Sequence, residues 1–213
     1  MTIGVILLIV TGLLIYFGAA QRVLDRLYLD DNAALFVVVL IGIGSFFEIT
    51  ISRSPLLTIN IGGALIPAIL SVYILIKADT GKEVFKGIVA IVLTAGAIYG
   101  ISLVFRDFGH GRDIIDPMYI FAVSGGIIAY ILGRSRRNSF VAGTLGFLLF
   151  NLFTFYRVLS GQIISQVRLG GAGAFDSIVI SGLLAVTMAE LIGESRERLQ
   201  GGPVDEDNRK GGE

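Results

Sequence analysis

Residues 168–176 read Arg168, Leu169, Gly170, Gly171, Ala172, Gly173, Ala174, Phe175, Asp176, and they lead into an apolar run that lasts to about residue 192. Three glycines within four positions let the backbone leave helical geometry, and Asp176 puts a carboxylate at the mouth of the helix that follows. Non-helical backbone at membrane depth persists only where protein or a water-filled cavity satisfies its polar groups. The stretch therefore reads in one of two ways. Either Asp176 lines a polar site at a broken helix start, or the glycines shape a tight turn and Asp176 caps the helix.

Composition supplies the membrane. The chain has 213 residues, 54% of them hydrophobic and 16% charged, and its mean hydropathy is +0.81, which places it among polytopic membrane proteins. A formal net charge of zero gives no nucleic-acid footprint. With no Cys and one His, disulfides, thiolate metal sites and cysteine nucleophiles are excluded, and neither a metal nor a cofactor is expected.

Outward from the opening stretch, apolar runs near span length fall at about 3–20, 33–51, 59–76, 87–105, 117–133, 139–156 and 176–192. The expectation is an all-α polytopic protein with about seven transmembrane helices over residues 1–192 and a charged, mostly disordered cytoplasmic tail over 193–213. The first run has no preceding Lys or Arg and is read as a retained helix rather than a signal peptide. Residues 21–32 suit a short amphipathic linker helix. Seven helices place twelve Lys and Arg on one side and five on the other, which puts the N-terminus outside and the C-terminus in the cytoplasm of the cell membrane. Arg134, Arg136 and Arg137 anchor the inner surface.

Residues 56–61 are rich in β-branched side chains and close on Asn60, Ile61, Gly62, Gly63, Ala64, with Pro67 at the next turn. Asn, two Gly and an early Pro mark a helix start after an extended arm. Arg168, Leu169, Gly170, Gly171, Ala172, 108 residues later, likewise close a polar arm with Gly-Gly-Ala and open a helix, which predicts re-entrant segments before helices three and seven in a 3+1+3 repeat. Candidate residues for a shared polar cavity are Asp176, Gly171, Gly173, Asn60, Gly62, Gly63, Glu48 near the outer end of helix two, and Asn151 in helix six. Glu48 has a plainer reading, in which it reaches headgroups or pairs with Arg53. Gly96 and Gly100, and the stripe Gly173, Ser177, Ser181, Ala185, Ala189, are read as close-packing faces.

Taken together, Val23 to Arg26, Gly44 and Ser45 before Glu48, Gly62 to Ala64 with Pro67, Gly143 to Gly146, and Gly170 to Asp176 with Gly182 resemble the uncharacterised prokaryotic membrane proteins grouped as domain of unknown function 1614. The resemblance covers most of residues 22–190. It implies a multi-pass membrane protein and no established reaction. Members tend to have Asn at the position of Glu48 and an acid close to Asn151, so a mechanism needing a second aspartate in helix six is not carried over.

Four functions compete on these residues, of which a lipid-modifying enzyme would need a nucleophile and base that the sequence does not offer. A carrier or channel would use the glycine-broken helix starts to bind a small solute or ion. An intramembrane aspartyl protease needs two acids sharing a proton, yet two residues separate Gly173 from Asp176 and no Tyr-Asp pair occurs. A structural or assembly role needs no site at all. The carrier reading is favoured, with the lipid bilayer and a small solute or ion as partners and no nucleic acid.

Overall fold

The computed structural model describes residue 27, residues 29–105 and residues 117–199. The apolar run at 3–20, residues 21–26 and 28 of the linker, the loop at 106–116 with His110, and the tail beyond residue 199 lie outside the described residues. Six helices and three short strands make up the described chain: α1 Asp31–Gly44, β1 Glu48–Arg53, β2 Leu56–Asn60, a π-helical turn Ile61–Leu65 running into α2 Ile66–Ile76, α3 Gly81–Phe105, α4 Pro117–Gly133, α5 Arg136–Leu159, β3 Val167–Leu169, a 3₁₀ turn Gly173–Phe175, and α6 Ser177–Leu199.

The apolar run at 33–51 is not one helix. Asp30 caps the start of α1 by accepting from the Ala33 N–H at 2.8 Å, and the helix stops at Gly44. Beyond it Phe46 to Ile51 is aromatic and β-branched, with Glu48 and Thr50 alternating between apolar residues. That pattern pairs as a strand more readily than it packs as a helix. Glu48 therefore opens β1 rather than ending a helix. The hairpin β1–β2 is antiparallel, with Glu48 opposite Asn60 and Thr50 opposite Thr58. β3 then joins β2 in parallel, with Thr58 opposite Arg168 and Ile59 opposite Leu169. The extended arms expected before helices three and seven are thus neighbouring strands of one sheet.

Two layers bury the apolar residues. Leu57, Val167 and Leu169 from the sheet pack on Ile98 of α3, Phe147 of α5 and Ile178 of α6. At the other end Leu27 and Ala34 meet Ile74, Phe140, Val141 and Val186. Helices α3 to α6 form a bundle, and α5 also lies against α2. Close approach comes from small residues: Ser177, Ser181, Ala185 and Ala189 are all buried on α6, and a Cβ at Gly143 would stand 2.9 Å from the Ser181 carbonyl oxygen. The expected packing face on α6 is present. At Gly96 and Gly100, the other face so read, no atom of the described residues lies within 4 Å of an added Cβ.

Among the described residues two helices are long and apolar enough to cross a membrane: Gly81–Val104 and Arg136–Leu159. Only 28% and 44% of their most apolar windows are buried inside the protein, whereas the core helix of a soluble domain hides most of its surface.

Candidate functional site

The glycine motifs meet at one junction, where the end of α1, the π-helical turn before α2 and the loop before α6 cross. Gly62 fits because it has no side chain: a Cβ there would run into the Ile41 carbonyl oxygen and the Ser45 N–H. Gly63 faces the other way, and its Cβ would meet the carbonyl oxygen of Gly170 and stand 2.7 Å from that of Gly173. Gly173 has φ +62°, a left-handed conformation that favours glycine, and a Cβ on it would lie 2.6 Å from the Cβ of Ser45. Backbone here packs directly on backbone.

Hydrogen bonds tie the same three segments. Ser45 Oγ donates to the Ile41 carbonyl at 2.6 Å and accepts the Ala174 N–H at 2.7 Å. The Ser45 carbonyl accepts from Asn60 Nδ2 at 2.8 Å, while Asn60 Oδ1 caps the turn by accepting the Gly63 N–H at 2.8 Å. Asn60 is 4% exposed, so both ends of its amide are used inside the protein. A buried amide left unbonded would cost about 1–3 kcal/mol, which explains why a polar residue is retained here.

Asp176 is 7% exposed and stands just before α6. Its Oδ1 accepts the Ile178 N–H at 3.1 Å, as an N-cap does. Its Oδ2 accepts the Ala172 N–H at 3.3 Å, so the carboxylate also fastens the glycine loop to the helix it precedes. Both bonds are charge-assisted. Neither oxygen bonds to Glu48, Asn60 or Asn151.

The other predicted residues are dispersed. Glu48 is exposed on the sheet and its carboxylate accepts the Thr58 hydroxyl; it forms no ion pair with Arg53 among the described residues. Asn151 is half-buried on α5 and takes no part in the junction. Gly171 is exposed, and a Cβ on it would meet chiefly the Arg168 side chain. The structure thus brings together Asn60, Gly62, Gly63, Gly173 and Asp176, and leaves Glu48, Gly171 and Asn151 aside. Two residues central to the junction, Ser45 and Gly170, were visible in the motifs but carried no site assignment. Their signal was adjacency: Ser45 follows Gly44, and Gly170 is the first glycine after an extended arm.

Asp176 shares no hydrogen bond with a second carboxylate, which an aspartyl dyad requires. Among the described residues no three of His, Asp and Glu gather as metal ligands would. A second acid on α6, Glu190, pairs with Arg136 at the opposite end of the bundle.

A family model described as "Protein of unknown function (DUF1614)" matches residues 22–188. No curated protein and no solved structure matches the chain.

Proposed function

The chain belongs to the DUF1614 family, proteins of unknown function, and from that premise we propose that it is a multi-pass membrane protein whose glycine junction is a structural clasp within the outer half of the bilayer. The carrying observation is that both Asp176 oxygens are occupied by backbone amides of its own segment. An acid that accepts from two N–H groups of its own segment holds a loop to a helix.

Helix lengths support membrane depth for the clasp. At 1.5 Å per residue the 25 residues of α3 reach about 37 Å, while the 14 of α1 reach only about 21 Å, short of a hydrocarbon core of ~30 Å. The sheet and turns complete the crossing on that side. Phe46, Ile51 and Ile164, which are 85%, 58% and 105% exposed, then face lipid instead of water. The hairpin turn at Ser54 lies outside the cell and the Arg134 turn lies in the cytoplasm, in line with the charge asymmetry.

Reconstitution tests the reading. Proteoliposomes with a trapped pH dye should leak protons no faster than empty vesicles, for the wild type and Asp176→Asn alike. A flux present in the wild type and lost in Asp176→Asn would restore the carrier reading. Release of the protein from membranes by alkaline carbonate would end the membrane reading itself.

A further inference from the structure

The end of the bundle away from the junction carries cations that enter no ion pair among the described residues. Arg137 donates to Asp79 at 2.9 Å and lies 3.7 Å from Glu83, and Arg136 pairs with Glu190 in a nearly buried contact. Asp79, Glu83 and Glu190 are thereby engaged. Asn138 Nδ2 donates to the Glu83 carbonyl at 3.5 Å, and a Cβ on Gly87 would lie 3.1 Å from Asn138 Oδ1, so the starts of α3 and α5 stand side by side.

Around that contact, Lys77 follows α2, Lys82 and Lys86 sit one turn apart on α3, and Arg134 precedes α5 with φ 56°. All four are exposed, and none enters an ion pair among the described residues. Immediately beside them the surface turns apolar: Ile76, Phe85, Ile88 and Val89 are 76%, 67%, 49% and 37% exposed. On α3 the change falls between Lys86 and Ile88. From Ile88 the helix continues to Phe105, about 26 Å at 1.5 Å per residue, close to the thickness of a hydrocarbon core.

We propose that Lys77, Lys82, Lys86 and Arg134 form a docking rim for the headgroup phosphates of anionic phospholipids, whose acyl chains run along Ile76, Phe85, Ile88 and Val89. Charge complementarity selects the partner. Cations held at the headgroup level, without an ion-pair partner among the described residues and flanked by exposed hydrocarbon, fit a ligand that is anionic at one end and apolar at the other. The inference rests on the membrane reading above. Arg136 and Arg137, adjacent in sequence to Arg134, are excluded from the rim because their charges serve Glu190, Asp79 and Glu83.

Thermal unfolding of the full chain in detergent tests it, with phosphatidylcholine, phosphatidylglycerol of the same acyl chains, or inorganic phosphate added. Both lipids should raise the midpoint, phosphatidylglycerol by several degrees more, and the excess should vanish at ~1 M salt, where the Debye length falls to about 3 Å. Replacing Lys77, Lys82, Lys86 and Arg134 together by Gln should abolish the excess and keep the phosphatidylcholine shift. Should the fourfold variant fail to fold, the salt response of the wild type and the single Lys86→Gln variant, which should lose part of the excess, decide the matter. Equal shifts from the two lipids would overturn the rim while leaving the membrane reading intact. No shift from either lipid would overturn the membrane reading. An equal excess from inorganic phosphate would show a soluble anion site and defeat the lipid assignment.

Discussion

The hydroxyl of Ser45 accepts the N–H of Ala174 at 2.7 Å, joining residues 129 apart in sequence across the glycine junction. The same hydroxyl donates to Ile41 one turn back on α1. One oxygen atom therefore stops a helix and fixes the loop that starts another.

Ser45→Ala should destabilise the fold by about 1–3 kcal/mol, because the Ala174 N–H loses its partner in a setting that excludes water. Chemical or thermal unfolding in detergent measures it. A loss below about 0.5 kcal/mol would mean that the loop finds another acceptor and that Ser45 is not the tie.

Asp176→Ala removes both acceptors and should cost about 2 kcal/mol or more, the sum of a lost cap and an unbonded Ala172 amide. Asp176→Asn keeps one acceptor for Ile178 but turns a donor toward Ala172, or the reverse. It should therefore fall between the wild type and Asp176→Ala. Equal stability of Asn and wild type would show that the Ala172 bond contributes nothing.

The glycines should separate into two classes. Gly63→Ala places a methyl group against the carbonyl oxygens of Gly170 and Gly173 and should prevent accumulation of folded protein, since backbone rather than a movable side chain must yield. Gly100→Ala meets nothing within 4 Å and should be neutral or stabilising by up to about 1 kcal/mol from helix propensity. Expression and unfolding midpoints check the pair; similar losses at both positions would contradict the junction geometry.

Arg136 and Glu190 have side chains 11% and 12% exposed. Glu190→Gln alone should cost about 3–5 kcal/mol by leaving the guanidinium without its counter-charge in a low-dielectric site. The double replacement Arg136→Met with Glu190→Gln should recover much of that loss. A double-mutant cycle in detergent reads the coupling, and additive losses would show that the pair is effectively solvated.

Reporter tags give the topology. One placed at the Arg134 turn and one after Glu213 should both be cytoplasmic, and one inserted at Ser54 should be outside. The turn and the hairpin carry opposite ends of the described bundle, so finding both on one side would exclude the proposed orientation.

The sequence by itself determined the elements whose causes are local. The starts of the turn leading into α2 and of α6 were readable because Asn60 and Asp176 are capping residues within three positions of glycines, and caps act over the same range. The runs at 117–133 and 139–156 appear as α4 and α5 because helical apolar stretches of that length have few other solutions. Tertiary structure alone decided the rest. It cut the run at 33–51 into α1 and β1, since a strand needs partners, and those of Glu48 to Arg53 lie on β2. It set β3 beside β2, packed backbone against Gly62, Gly63 and Gly173 while bringing none of the described residues against Gly96 and Gly100, and assigned Arg136 and Arg137 to internal acids while Arg134 stayed exposed. Each of those outcomes depends on which backbone or charge arrives from a distant part of the chain, and residue spacing carries no record of that meeting.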